Sequence, residues 1–176
     1  MDLVSLKFGA MHRFTLLPIV CLALVLWASV PRAETEQGES GLPIPRFVSL
    51  RADEVNVRTG PGSRYPVEWI YQRRNMPVEV VAEFDVWRKI RDWQGAEGWV
   101  NKAMLSSRRT VLVTGEVRPL RRDRSPAATA VARAEPGVVA RVLKCEAEWC
   151  KVEAGGYEGW ILRTEAWGTR DDEKVE

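Results

Sequence analysis

The feature that most constrains the fold is a pair of four-residue motifs, each containing a tryptophan, that occurs twice along the chain. Trp87-Arg88-Lys89-Ile90 matches Trp149-Cys150-Lys151-Val152, and each is followed by a second motif, Glu97-Gly98-Trp99-Val100 or Glu158-Gly159-Trp160-Ile161. The two tryptophans lie twelve residues apart in the first copy and eleven in the second. A unit of about 60 residues that recurs only once indicates two tandem domains rather than a solenoid.

Both copies have the local pattern of short strands. Runs of β-branched and aromatic residues are separated by turn residues, whereas Ala127–Ala134 is alanine-rich but too short and too broken to predict a helix. The predicted strands are Val67–Tyr71, Val78–Phe84, Trp87–Asp92, Gly98–Asn101, Val138–Leu143, Trp149–Val152 and Tyr157–Leu162. We predict an all-β fold of two small barrels. Because a domain of about 60 residues buries only about 60% of its unfolded surface, we expect the tryptophans to anchor the cores.

Residues 1–33 have the pattern of a secretory signal peptide, with basic residues, an apolar run and a small residue at the exit. We expect cleavage after Ala33, with Ala28 as the alternative, and a true start at Met1 or Met11. The other interpretation is an uncleaved membrane anchor, since an apolar run of about 17 residues is at the lower limit for crossing a bilayer. Cleavage would place the protein in the periplasm or outside the cell, without a stable membrane span.

The repeat and the composition predict the domain limits. Glycine and proline residues after the signal peptide indicate a flexible leader, and charged residues follow the second copy. The predicted order is signal peptide 1–33, flexible leader 34–45, first barrel 46–110, second barrel 111–168 and charged tail 169–176.

The charge balance argues against a nucleic-acid partner. The sequence has 26 basic and 24 acidic residues, and the excess lies in the signal peptide, which contains Lys7, Arg13, Arg32 and only one acidic residue, Asp2. Non-specific binding to nucleic acid depends on neutralising phosphates, which a balanced surface does poorly.

Two cysteines, Cys145 and Cys150, follow the signal peptide, in the segment C-E-A-E-W-C. In an oxidising compartment, an even pair at this spacing predicts a disulfide between the two strands of a tight hairpin. The alternative is a redox-active dithiol, but the spacing is not C-x-x-C and no helix N-terminus is predicted to lower the pKa of a thiol.

The start of the first copy resembles a known family. Asn56-Val57-Arg58-Thr59-Gly60-Pro61-Gly62, followed by Tyr65-Pro66-Val67, resembles the N-V-R-x-G-P-G signature of bacterial SH3 domains. The resemblance covers about residues 46–168 and is of the exported, two-copy type seen in alphaproteobacteria. The second copy departs from the signature at Pro119-Leu120-Arg121, which lacks the glycines of the first copy. The resemblance implies an SH3-like barrel in each copy and a binding function.

Strand parity suggests where a ligand would bind. If Ile90 faces the core, Trp87 points outward together with Lys89, and Trp149 is placed in the same way opposite Val152. An outward aromatic side chain is a platform for extended peptides in eukaryotic SH3 domains. The other interpretation is that these tryptophans pack under the first loop or against the sister barrel. The remaining candidates for the same groove are Tyr65, Trp69, Tyr71 and Trp93, whereas Trp99 and Trp160 are predicted to be core residues.

The sequence disfavours catalysis. The single histidine is His12, in the predicted signal peptide, so the Ser-His-Asp and Cys-His arrangements and the usual zinc sites are excluded for the exported part. We predict no cofactor, no metal and no enzyme activity. The predicted function is a binding module for extended peptide, including the stem peptides of peptidoglycan; the alternative is an interaction or scaffold protein that docks another envelope protein.

Overall fold

The computed structural model describes residues 36–171 and 173–175, so the predicted signal peptide lies outside the described residues. The fold is all-β, as predicted. A short antiparallel hairpin comes first and consists of β1 (Glu36–Gln37) and β2 (Pro43–Ile44). The first barrel contains β3 (Arg46–Leu50), β4 (Val55–Arg58), β5 (Val67–Tyr71), β6 (Pro77–Phe84), β7 (Trp87–Arg91), β8 (Glu97–Asn101) and β9 (Leu105–Ser106). The second contains β10 (Thr110–Val113), β11 (Arg118–Arg121), β12 (Ala130–Ala134), β13 (Val139–Glu146), β14 (Trp149–Ala154), β15 (Tyr157–Leu162) and β16 (Ala166–Trp167).

The two barrels, called barrel 1 and barrel 2 below, have the same topology. The strand order is β5-β4-β8-β7-β6-β3-β9 in barrel 1 and β12-β11-β15-β14-β13-β10-β16 in barrel 2, with antiparallel pairing throughout. Each barrel has one turn of 3-10 helix before its last strand, Lys102–Met104 or Arg163–Glu165. The internal repeat of the sequence is therefore a duplication of one complete fold.

Alternation along the strands builds two separate aliphatic cores. In β7, Arg88 and Ile90 are buried while Trp87 and Lys89 are only partly buried, which is the period-two pattern of a strand with one face inward. The core of barrel 1 contains Leu50, Val55, Val57, Met76, Val78, Val80, Ile90, Val100 and Leu105. The core of barrel 2 contains mainly Val111, Val113, Leu120, Ala140, Val142, Val152, Ile161 and the two cysteines. No tryptophan of the described segments is fully buried, and Trp69 alone among them is packed against a core, so the expectation that the tryptophans anchor both cores is wrong.

The predicted disulfide is present. Cys145 in β13 and Cys150 in β14 are direct cross-strand partners and are joined by a bond, with Cα atoms 4.1 Å apart. Both sulfurs belong to the core of barrel 2, where Cys145 is 4% exposed and Cys150 is 1% exposed. The bond therefore fastens the hairpin from the inside of the barrel.

Removing this bond is expected to destabilise the protein moderately. Closure of so short a loop contributes about 2 kcal/mol in the chain-entropy model, so C145A/C150A should lower the free energy of unfolding by about that amount. Urea titrations of the wild type with and without dithiothreitol, beside the same pair for the variant, measure the effect. Reductant should weaken only the wild type; an equal response of both proteins, or of neither, would contradict the prediction.

A buried carboxylate ties the N-terminal hairpin to barrel 1. Glu83, at the end of β6, accepts hydrogen bonds from the Ser40 backbone N–H (2.7 Å) and hydroxyl (2.8 Å). Its carboxylate also pairs with Arg46 (2.6 Å) and Arg88 (3.1 Å), and its side chain is 1% exposed. Burial alone would raise the pKa of Glu83, but the hydrogen bonds from Ser40 and Arg46 outweigh it and hold the pKa below its ordinary value.

A short linker and a set of contacts join the two barrels. Residues 107–109 connect β9 to β10. The rings of Phe47 in barrel 1 and Trp167 in barrel 2 meet edge to face, with centroids 4.9 Å apart. The Thr110 hydroxyl donates a hydrogen bond to the carbonyl of Asn75 (2.7 Å). Within the described residues, no helix has the length and apolar character needed to cross a membrane.

Candidate functional site

Each barrel presents an outward tryptophan at the first position of a central strand. In β7 and β14 the residue after the tryptophan is buried and the tryptophan itself is partly exposed. Trp87 therefore faces away from Ile90, and Trp149 faces away from Val152, as strand parity predicts. The same geometry in both copies makes this position the first candidate for ligand contact.

Trp99 and Trp160 lie on the outer faces as well, so the prediction that they are core residues is wrong. In β8, Gly98 and Val100 are buried and Trp99 between them is not. A Cβ on Gly98 would lie 2.3 Å from Val57 Cγ1 and 3.2 Å from the Arg58 carbonyl oxygen, so glycine is the residue that lets β8 pack closely onto β4. The inward positions are taken by the glycine and the valine, and the tryptophan is left outside.

The two outward tryptophans of each barrel are diagonal neighbours. In barrel 1, Trp87 lies opposite Asn101 and Trp99 lies opposite Lys89, on adjacent strands. Diagonal positions of an antiparallel pair are about 7–8 Å apart, which is within reach of aromatic side chains. We call the pair Trp87 and Trp99 tryptophan face 1.

The corresponding pair in barrel 2, Trp149 and Trp160, is called tryptophan face 2, and cationic side chains cover it. The Arg121 guanidinium lies 5.4 Å from the centroid of the Trp149 ring. Arg124 and Lys144 each lie 5.3 Å from the Trp160 ring. Cation–π contact of this kind orders the side chains and places hydrogen-bond donors beside the rings.

These cations are balanced by neighbouring carboxylates. Arg124 and Lys144 both pair with Glu146. Hydrogen bonding from Lys144, followed by the attraction of Arg124 and Lys144, lowers the pKa of Glu146. Arg121 pairs with Glu165 at 3.1 Å. Face 2 therefore offers both hydrogen-bond donors and acceptors around two aromatic rings.

A cavity flanks tryptophan face 2 at the turn that precedes Trp149. A cavity of about 450 Å³ beside Trp149 is lined by Glu148, Leu162 and Arg163, among others. Leu162 is the direct cross-strand partner of Trp149. In barrel 1, a cavity of about 450 Å³ is lined by Arg88, which is buried on the side of β7 opposite Trp87, and by residues of the N-terminal hairpin and the linker. The concave surface next to an outward tryptophan is therefore the one beside Trp149, whereas the cavity of barrel 1 lies on the other side of β7 from Trp87.

Tyr65 belongs to the first loop of barrel 1 and packs on its glycines. A Cβ on Gly60 would lie 2.5 Å from the Tyr65 ring, so only glycine leaves room for it. Arg58 donates hydrogen bonds to the carbonyls of Ser63 (3.1 Å) and Tyr65 (2.7 Å). Because Arg58 is also paired with Trp99 across β4 and β8, the loop is held next to tryptophan face 1. The N-V-R-x-G-P-G signature thereby fixes the loop shape.

Trp69 and Tyr71 pack against the core of barrel 1 from β5. Their rings meet edge to face at 6.1 Å, and the Tyr71 hydroxyl donates to the buried Asp92 carboxylate at 2.8 Å. Burial, and then the hydrogen bond and negative charge of Asp92, raise the pKa of Tyr71. Asp92 also accepts from the backbone N–H groups of Gln94 and Ala96 (2.9 Å each). These groups stabilise the turn at the far end of β7.

Trp93 lies in that turn and is 45% exposed. It follows the end of β7, whereas Trp87 begins the strand. At about 3.3 Å per residue, the two tryptophans are about 20 Å apart. The structure therefore brings Trp87, Trp99 and the loop of Tyr65 to one side of barrel 1 and places Trp93 at the other end.

Aromatic rings and paired charges make up the candidate sites. The described residues contain no histidine and no group of three or more side chains placed to hold a metal ion.

The fold and these faces define a small β-barrel binding module that occurs twice in the chain. The family model of the bacterial SH3 domain matches residues 51–107 and 115–168, so the chain belongs to the bacterial SH3 domain family. Bacterial SH3 domains are binding modules, and the resemblance found in the N-V-R-x-G-P-G signature is confirmed.

The other comparisons add little. No curated protein matches the chain. Solved structures that are similar to it include NlpC2 and NlpC1 from Trichomonas vaginalis, each at 13% identity and a TM-score of 0.33. The matches cover 71% and 77% of this chain but 48% and 49% of those proteins, so the chain spans about half their length.

Proposed function

We propose that this protein is exported, has no catalytic activity, and binds extended peptide segments of the cell wall, such as the stem peptides of peptidoglycan. The observation that carries the proposal is the repeated outward tryptophan, Trp87 in barrel 1 and Trp149 in barrel 2, each with a second outward tryptophan diagonal to it. Tyr65 and the loop held by Arg58 extend the binding surface of barrel 1. The internal disulfide is consistent with an oxidising compartment outside the cytoplasm.

The physical basis of binding is stacking combined with hydrogen bonding. An extended peptide has flat amide groups that pack well on aromatic rings, and its own donors and acceptors need partners. Face 2 provides both kinds of partner through Arg121 and Glu146, which are ordered before the ligand arrives. Preorganised side chains lose little entropy on binding, so the affinity gained from each contact is larger.

Retention by insoluble peptidoglycan tests the proposal. We expect the purified full chain to sediment with peptidoglycan, and W87A/W149A to bind at least about tenfold more weakly, because a central aromatic contact is typically worth 2 kcal/mol or more. W93A is the matched control, since it removes an exposed tryptophan about 20 Å from Trp87 along the strand direction. It should bind like the wild type.

Two outcomes would count against wall binding. If wild type is not retained and an envelope protein co-purifies with it instead, the alternative of a docking or scaffold protein is favoured. If W93A and W87A/W149A are weakened equally, binding does not depend on the tryptophan faces.

A further inference from the structure

In barrel 1, aromatic side chains of β5 cover one flank of the core. Trp69 and Tyr71 both contact the core cluster, and the Tyr71 hydroxyl is held by Asp92 in the turn after β7. The flank is thus closed by the chain's own side chains and by one buried hydrogen bond.

Barrel 2 has only small side chains at the same place. The registers can be compared because Arg58 pairs with Trp99 in one barrel and Arg121 pairs with Trp160 in the other. Starting from these two arginines, the strand pairings identify which positions of β12 and β14 in barrel 2 are equivalent to positions of β5 and β7 in barrel 1. The residues at the positions of Trp69, Tyr71 and Asp92 are Ala132, Ala134 and Ala154, respectively.

The missing side chains leave a concavity of about 470 Å³, which we call the alanine socket. Its floor is apolar, with Leu120 1% exposed and Ala134 5% exposed. The ring of Tyr157, 58% exposed, stands at its rim opposite Ala154. Its main lining residues are Leu120, Val131, Ala132, Ala134, Val138 and Ala154.

The socket lies beside a free strand edge. β12 is the terminal strand of its sheet, so one side of its backbone has no strand partner within the described fold. Edges of this kind accept extended peptides by adding a strand, with alternate side chains of the peptide entering neighbouring pockets. Arg133 of β12 lines the socket, is exposed, and forms no ion pair with another described residue. An acidic group on the peptide would find a partner there.

We propose that barrel 2 binds an extended, acidic peptide segment along β12 and takes one aromatic side chain of that segment into the alanine socket. Barrel 1 supplies the argument for the occupant, because the equivalent space there holds a tyrosine ring packed on the same kind of aliphatic core. The site is separate from tryptophan face 2. Trp149 lies at one end of the β14–β15 hairpin and Tyr157 lies at the other.

The experiment uses two synthetic peptides, acetyl-Glu-Thr-Tyr-Thr-Glu-amide and the same peptide with alanine in place of tyrosine. Binding to the full chain is followed by amide chemical shifts and by calorimetry. We expect shifts in β12 and in the socket residues, and an affinity for the tyrosine peptide at least about tenfold higher than for the alanine peptide, since burying one aromatic side chain accounts for such a factor.

The decisive test is a variant whose own side chains fill the socket. A134Y/A154D gives barrel 2 the tyrosine and aspartate that barrel 1 already contains, and it should lower the affinity for the tyrosine peptide at least about tenfold. A127Y is the matched control, because Ala127 is exposed in the preceding loop and does not line the socket. It should bind like the wild type. If A134Y/A154D fails to fold, Y157A is the alternative test and should also weaken binding of the tyrosine peptide. Removing this exposed ring costs little stability but removes one wall of the socket.

Three results would overturn the proposal: equal affinity for the two peptides, unchanged binding by the filled variant or by Y157A, or a wild-type dimer in sedimentation that A134Y/A154D converts to monomer. The last result would mean that a second copy of the chain covers the socket. W87A/W149A separates this site from the proposed wall-binding function, because it should lose peptidoglycan and keep the tyrosine peptide.

Discussion

Replacing Glu83 with glutamine is expected to lower the free energy of unfolding by about 3 kcal/mol. The carboxylate is almost fully buried and pairs with Arg46 and Arg88, of which Arg88 is itself 7% exposed at its side chain. Removing one partner from a buried ion pair leaves the other charge without compensation, which costs about 3–5 kcal/mol. We expect the lower end, because Arg88 also donates to the carbonyls of Asp85 and Trp87 (2.8 Å each). Urea unfolding at neutral pH measures the loss.

E97Q is the matched control for this effect. Glu97 also binds two cations, Lys89 at 2.6 Å and Arg91 at 2.7 Å, but on an exposed strand surface. Exposed pairs contribute less than about 1 kcal/mol, so E97Q should be nearly as stable as wild type. Equal losses for E83Q and E97Q would show that burial of Glu83 does not matter.

The pH dependence of stability provides a second test of the contribution of Glu83. Because the pKa of Glu83 is lower in the folded protein than its ordinary value of 4.5, its contribution is fully present above that value and is lost as the pH falls through the folded pKa. Wild type should therefore lose stability on acidification more steeply than E83Q below about pH 4.5. Parallel curves for the two proteins would contradict this assignment.

Much of the fold could be predicted from the sequence because the two copies carry the same local signals. The strand Val67–Tyr71 has the predicted bounds, and the strand ending at Phe84 begins one residue earlier than predicted. The local pattern does not predict the strand Ala130–Ala134, since alanine has low strand propensity. It is a strand because it pairs with β11, which is a tertiary effect that no local pattern contains.

The faces of the barrels were only partly predictable. Parity within one strand placed Trp87 correctly, since Ile90 gave the inward direction. For Trp99, hydrophobicity predicts an inward side chain, but the flanking Gly98 occupies the inward position against Val57. A buried glycine next to a large aromatic residue is the signal that would have corrected the assignment.

The alanine socket could not be predicted from one copy alone. Alanines in β12 carry no functional signal until the register aligns them with Trp69 and Tyr71 of barrel 1. Comparison between the copies supplies information that the composition of either copy lacks. The repeat kept the topology constant, so differences in side-chain volume mark the places where the two barrels have different surfaces.

Replacing Gly168 with alanine is expected to lower the free energy of unfolding by about 4 kcal/mol, more than the loss of the disulfide, because two separate costs add. Gly168 has a φ of +132°, which side chains rarely adopt. A Cβ there would lie 2.5 Å from the Thr110 carbonyl oxygen, 3.1 Å from Val111 Cα and 3.2 Å from Pro77 Cβ. The first two contacts are backbone atoms, which cannot move aside as a flexible side chain can.

The same substitution should loosen the junction of the barrels, because Gly168 follows Trp167, whose ring packs on Phe47, and its carbonyl accepts from Arg109 (3.0 Å). G95A is the matched control: Gly95 also has a positive φ, +87°, but nothing lies within 4 Å of a Cβ there. It should lose only the backbone cost of about 1–2 kcal/mol. Urea unfolding gives both values, and faster proteolysis within residues 107–109 reports the loosened junction. If G168A were no less stable than G95A and its linker no easier to cleave, close packing at this glycine would not hold the two barrels together.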